Sequence, residues 1–262
     1  VIAHIALFTQ QWPVLAVCAF GCVLGLIFGS FFAALITRWP EGKSVLRGRS
    51  ACDACGRTLG AAELVPLLST LFQRGRCKSC GSAIDPLHWR MELGCAAIGG
   101  AAMLIAPLPY ALGWMALGWI LLALAVLDAR HYWLPDALTL PLAALGLMIA
   151  PWVTGTSVTD GAIGAAVGYG TLLLIAIAYR KLRGREGLGL GDAKLLGALG
   201  AWFGWQALPF IVLAASLSGL SWAVIQAIVA RARLDAHAML PLGTCFAIAA
   251  IPGWWVSLIL LR

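Results

Sequence analysis

GLGLGDAKLL, residues 187–196, leads three glycines into a single carboxylate, Asp192, at the start of an apolar helix. Nearly everything around it is compatible with lipid. Of 262 residues, 61% are hydrophobic and 11% charged, and the mean hydropathy is +0.92. These values fall outside the range of soluble globular chains and point to a polytopic membrane protein. A charge beside hydrocarbon carries a heavy desolvation cost unless it is solvated, paired or protonated. Asp192 therefore needs a partner or a use.

Working outward from that stretch, apolar runs long enough for helices occur at residues 12–36, 91–106, 110–127, 137–153, 162–179, 192–205, 208–229 and 240–261. The fold class this implies is an all-α membrane protein of about eight transmembrane helices, with one polar insertion, residues 38–90, after the first helix. The run that starts at Asp192 is the shortest and is broken by glycine. Loops rich in Lys and Arg stay in the cytoplasm. With residues 38–90 placed inside, both termini lie outside and seventeen of the eighteen basic residues are cytoplasmic, Arg262 being the exception. The formal charge of +7 is thus explained by topology, and nucleic-acid binding is not expected. Residues 1–12 show no basic segment ahead of an apolar one and no small-residue cleavage site, so no removable signal is read there.

The polar insertion carries Cys52 and Cys55 in one CxxC and Cys77 and Cys80 in another, with 21 residues between the pairs and a glycine, Gly56 or Gly81, after each. Four cysteines in two such knuckles match a tetrahedral structural zinc site, in which tight glycine turns let backbone amides face the sulfurs. A reducing cytoplasm disfavours the alternative of two disulfides. All four ligand places are filled by cysteine, which leaves no open position for catalysis. The remaining cysteines, Cys18, Cys22, Cys95 and Cys245, lie inside apolar runs and read as small buried hydrophobes.

Most acids have a simple reading. Asp136 and Asp160 each precede a helix and are expected to cap it. Glu92 opens the second apolar run, where the helix dipole favours an acid. Asp128 and Asp192 are different. One ends an apolar helix as LAVLDAR and the other begins one as GLGDAK, and the topology puts both at the cytoplasmic border. If they meet, two carboxyl groups sharing a proton can run aspartic protease chemistry, one as general base on water and one as acid toward a carbonyl. Otherwise Asp128 pairs with a nearby base such as Arg130 and Asp192 is only a helix cap. Residue types and spacing leave both readings open.

A resemblance favours the first. GLGD at residues 189–192 looks like the GxGD signature of intramembrane-type aspartic proteases, and the chain resembles the bacterial type IV prepilin peptidases. GSFFAALITRWP is similar to that family's GSFLNVVIxRLP, and the paired CxxC motifs resemble its zinc knuckles. LDARHYWLPDALTLP resembles LIDxxxxxLPDxLTLP, and GLGLGDAKLLGALGAWFGW resembles GxGDxKLLAxLGAWxGW. The resemblance implies that Asp128 and Asp192 are the catalytic pair. With the apolar runs, the chain is expected to have three parts: a first transmembrane helix (1–37), a cytoplasmic zinc-binding segment (38–90) and a seven-helix protease core (91–262). The resemblance also implies an inner-membrane enzyme that removes a basic cytoplasmic leader from prepilins or pseudopilins. Gly187, Gly189 and Gly191 then become the approach along which an extended substrate reaches the acids. Asp192, at a helix N-terminus, is expected to be the base.

Many members of that family also methylate the new amino terminus with S-adenosylmethionine. In the segment associated with that step this chain departs from the usual pattern, with Glu63 and Ala33 where Asn is usual and Thr70 where Trp is usual, while retaining an acid at Glu92. A different class of function, a transporter using membrane-border carboxylates, also accommodates several spans and two acids.

Overall fold

The computed structural model describes residues 13–45, 50–52, 54–184, 188–229 and 240–260. Nine α-helices are present among them: α1 (Val14–Arg38), α2 (Leu68–Phe72), α3 (Leu87–Ile105), α4 (Tyr110–His131), α5 (Asp136–Val153), α6 (Val158–Arg183), α7 (Leu190–Phe203), α8 (Leu208–Val229) and α9 (Leu242–Leu260). Apart from the five-residue α2, each falls on one of the eight apolar runs. Five are long and apolar enough to cross a membrane: α1, α4, α5, α6 and α8. The chain forms two compact units, Val1–Ala123 and Leu124–Arg262, and α4 passes from the first into the second.

In the first unit α1 lies directly on α3. Gly21, Gly25 and Gly29 recur every fourth residue, so they form one stripe on α1. A Cβ at Gly25 would collide with the Cys95 carbonyl, and one at Gly29 would lie 2.5 Å from the Glu92 Cα. Lipid tails are as apolar as leucine, so two helices in lipid gain little from burying apolar side chains; close backbone approach through small residues supplies the attraction instead. The Trp119 indole, stacked on Phe28 at 4.7 Å, closes the packing by donating to the Cys95 carbonyl at 2.8 Å.

The second unit is arranged around α7. Its 14 residues span about 21 Å, short of a hydrocarbon layer of about 30 Å. Ala193 and every residue from Leu195 to Phe203 are buried. On one side Gly161, Gly164 and Gly168 of α6 meet the α7 backbone at Ala201, Gly200 and Leu196. On another, the Trp202 indole donates to the Leu142 carbonyl of α5 at 2.8 Å, beside Gly146. The end of α7 is tied down by Thr154 and Thr156, whose hydroxyls donate to the Trp202 carbonyl at 2.6 and 2.9 Å.

Two expected caps differ. The N-cap of α6 is Ser157, not Asp160. Asp160 sits in the first turn, accepts from the Ser157 hydroxyl at 2.6 Å, and gathers the Trp205 indole and the Gln206 amide at 3.0 Å each. The connection that follows α7 is thereby fixed to the start of α6. Pro135 is the residue before α5, so Asp136 is the first helical residue and makes no side-chain cap; its carboxylate is used elsewhere.

The stripes give a sharp contrast within one helix. Gly164→Leu drives a side chain into the α7 backbone and is expected to cost at least about 3 kcal/mol of stability. At Gly170, where an added Cβ meets nothing within 4 Å, alanine is expected to stabilise by about 0.5–1 kcal/mol. Thermal unfolding in detergent checks both, and equal midpoints for the two variants would contradict the packing described.

Candidate active site and thiolate cluster

Three elements of the second unit converge on two acids. Asp128 lies in the last turn of α4 and is only 5% exposed. Its Oδ2 accepts the Thr244 backbone N–H at 2.8 Å and contacts the Thr244 hydroxyl at 3.2 Å. That hydroxyl donates to the Ala125 carbonyl at 2.8 Å, one turn before the acid, so a single threonine at the start of α9 grips both the side chain and its helix. Asp192 is the third residue of α7, with Gly189 as the N-cap. Its carboxyl turns back toward the Gly189 amide, the geometry of a capping acid at that position. The Gly243 amide lies beside both carboxyl groups, and Asp192 is within electrostatic reach of Asp128. The two acids, 64 residues apart in sequence, are thus neighbours. Asp192 Oδ1 is buried with no hydrogen-bond partner among the described residues.

The LPD turn between α4 and α5 has a physical role here. Leu134 is buried against the two glycines that flank the acids: a Cβ at Gly191 would lie 2.9 Å from the Leu134 Cβ, and one at Gly243 would lie 2.7 Å from its Cδ1. Pro135 sets the entry to α5. Asp136 then accepts from the Lys194 ammonium at 2.6 and 2.8 Å. Lys194 is two residues beyond Asp192, so this ion pair clamps the first turn of α7 to α5. Gly189 is extended (φ −71°, ψ 137°) and Gly191 packs on Leu134, while Gly187 lies outside the described residues.

The cysteines of the first unit form the expected cluster. Each knuckle repeats the other at an offset of 25 residues. Cys52 N–H donates to the Arg57 carbonyl and Cys77 N–H to the Ser82 carbonyl, both at 2.9 Å, and isolated bridges pair Ala51 with Thr58 and Arg76 with Ala83. Gly56 and Gly81 both turn at φ +70°, where a side chain is strained. All four sulfurs lie within 4.8 Å of one another, and Cys52 and Cys80 are 3.8 Å apart. A tetrahedron with metal–sulfur bonds of about 2.3 Å has edges of about 3.8 Å. The cluster can therefore hold a metal ion.

Its electrostatics fit that use. The Cys55 and Ala54 amides hold the Cys52 thiol down to about 6. At Cys55 the Arg57 amide favours the thiolate, but the neighbouring Cys52 and Cys80 sulfurs, together with burial, push it up to about 11. Four sulfurs this close cannot all ionise without a cation among them.

Glu63 and Glu92 also take specific places. The Gly60 amide and the Arg57 guanidinium, 2.5 Å away, hold Glu63 below the usual carboxylate range. Glu92 is not in the first turn of α3 as the helix-dipole reading expected; it is the sixth residue, 4% exposed, and accepts the Leu67 N–H at 2.8 Å. Thr244 carried no signal in the sequence, and Leu134 and Lys194, although they stand at fixed letters of the motifs quoted above, did not name Gly191, Gly243 or Asp136 as their partners.

Both units match families of known proteins. The model of the type IV leader peptidase family matches residues 115–224, which contain both acids, and that of the bacterial peptidase A24 N-terminal domain matches residues 23–106, which contain the four cysteines. A prepilin leader peptidase/N-methyltransferase of Burkholderia pseudomallei (strain 1026b) is 38% identical over 243 residues, covering 83% of this chain and 79% of its own. A protein of the same name from Klebsiella pneumoniae is 41% identical over 222 residues, covering 82% of this chain and 97% of its own. Another, from Pseudomonas aeruginosa, is 35% identical over 262 residues, covering 90% and 88%. No solved structure matches the chain. With this identity sustained across both units, the chain belongs to the type IV leader peptidase family.

Proposed function

We propose that this chain is a membrane aspartic endopeptidase that removes the basic cytoplasmic leader from type IV prepilins or pseudopilins, and that it then methylates the new amino terminus with S-adenosylmethionine. The observation that carries the cleavage reading is the meeting of Asp128 and Asp192 beside the Gly243 amide. Two carboxyl groups at close range share a proton, which supplies a base and an acid in one place. Asp128 is held by Thr244, whereas Asp192 has an oxygen without a partner among the described residues; we assign the attacking water to Asp192. Asp192 takes a proton from the water as its oxygen bonds to the scissile carbonyl carbon, and Asp128 protonates the carbonyl oxygen. Collapse of that tetrahedral species breaks the C–N bond, and the leaving nitrogen takes up a proton. The leader's junction with its hydrophobic helix must be unwound to be cut, and Gly187, Gly189 and Gly191 are the backbone along which it would lie. The basic loops favour the inner membrane with the acids at its cytoplasmic face and both termini outside. The transporter reading draws no support from the relatives.

For the thiolate cluster we propose zinc, held by Cys52, Cys55, Cys77 and Cys80 in a structural role. When bound, the ion neutralises the crowded thiolates and fixes the two knuckles to each other.

Asp128→Asn and Asp192→Asn are each expected to abolish cleavage of a purified prepilin while membrane insertion is unchanged; full activity in both removes the protease reading. Thr244→Val keeps the backbone donor but loses the hydroxyl, and is expected to lower kcat about 10-fold or more. A wild-type kcat would mean that the hydroxyl does not position Asp128. Elemental analysis is expected to find about one zinc per chain. After chelation, at a pH between the two thiol values, iodoacetamide is expected to modify Cys52 before Cys55. Preferential labelling of Cys55 would contradict the knuckle electrostatics.

A further inference from the structure

A cavity of about 220 Å³ lies in the first unit, lined by residues of α1, of the knuckle segment and of α3. All its lining residues fall between Ser30 and Glu92. Several of these are polar, among them Thr37, Thr70 and Gln73. Two residues of α3 stand out, His88 and Glu92, four apart and so on one face of the helix. Glu92 is 4% exposed, and the Leu67 N–H is its sole hydrogen bond among the described residues. That bond holds Leu67 at φ +58°, ψ −47°, a backbone conformation that side chains other than glycine rarely adopt. The other carboxylates of the lining are already employed. Glu63 is bound by Arg57 and Gly60, and Asp85 accepts the Leu87 N–H at 2.8 Å. Among the described residues Glu92 forms no ion pair, and its second oxygen is left for an incoming donor, in a cavity that Arg38 and His88 also line.

We propose that this cavity receives the newly exposed amino terminus of the cut substrate and that Glu92 takes the proton from its α-ammonium group. This rests on the reading that the chain methylates its product. An ammonium nitrogen has no lone pair, so it must lose a proton before it can attack. Glu92 accepts that proton and becomes a neutral carboxylic acid, leaving a free amine. The amine lone pair then forms a bond to the methyl carbon of S-adenosylmethionine, the C–S bond breaks, and its electron pair stays on sulfur as a neutral thioether. The product is a secondary ammonium ion, and the Glu92 proton returns to solvent. Holding Leu67 is part of the same device, since the bond that bends the backbone there also fixes which Glu92 oxygen remains free.

The test uses the full-length protein in detergent with two substrates, an intact prepilin and the same protein already cut, with a free amino terminus. Glu92→Gln retains an acceptor for the Leu67 N–H but cannot take a proton. It is expected to cleave the intact prepilin at the wild-type rate and to bind S-adenosylmethionine with the wild-type Kd by equilibrium dialysis. It is expected to methylate the cut substrate about 100-fold more slowly or worse, read as the mass of one methyl group. Gln73→Trp, which fills the cavity from its half-buried side, is expected to block methylation with cleavage intact, and guards against a misfolded Glu92 variant. Wild-type methylation by either variant overturns the inference. So does loss of S-adenosylmethionine binding in Glu92→Gln, which would assign the acid to the sulfonium cation, and so does wild-type protein that methylates neither substrate. Wild-type protein that methylates the cut substrate without cleaving the intact one would instead remove the peptidase reading and leave the inference standing.

Discussion

The contact on which both units depend is helix backbone against helix backbone through glycine. Within hydrocarbon, leucine on leucine gains little over leucine on lipid, so helices must find another source of attraction. In the first unit Gly21, Gly25 and Gly29 let α1 approach the main chain of α3 near Glu92, Cys95 and Gly99. In the second, Gly161, Gly164 and Gly168 do the same for α6 against α7. Both contacts fix a helix that bears a buried or half-buried acid. The register of each stripe determines how far along its partner that acid sits, which is why a single bulky residue in either one should matter more than most leucine truncations elsewhere.

The acids of the second unit show how three segments far apart in sequence build one site. The end of α4 supplies Asp128, the start of α7 supplies Asp192, and the start of α9 supplies Thr244 and the Gly243 amide. Leu134 packs against Gly191 and Gly243, and the Asp136 to Lys194 ion pair anchors α7 two residues beyond its acid. Two carboxyl groups that share a proton must be held at a fixed separation, so the neighbours that hold them must be rigid. Here that rigidity comes from short, local devices: one threonine, one leucine wedge and one ion pair.

Much of this was legible in the sequence. Helices came from long apolar runs, whose lengths are set by the bilayer, and the thiolate cluster came from two CxxC pairs with glycines where a left-handed turn is required. The two acids stood out because charge is rare in this chain. What resisted reading has a common cause. Asp136 and Asp160 looked like caps because a short acid before a helix commonly is one. Whether it caps or instead pairs with Lys194, or gathers Trp205 and Gln206, depends on what tertiary packing brings near. Thr244 and Glu92 were similarly hidden, since their partners lie 116 and 25 residues away. The glycine stripe of α1 was readable in principle, as a repeat of four in an apolar helix, but a repeat names no partner.

The central claim is that Asp128 and Asp192 act as one unit on one scissile bond. It is tested most directly by comparing cleavage rates of Asp128→Asn, Asp192→Asn and the double variant under single-turnover conditions. Residues that share one chemical task are strongly non-additive, so the double variant should be no slower than the slower single variant. Losses that multiply, with each single variant retaining a measurable part of the wild-type rate, would mean that the two acids serve separate steps and would contradict the account.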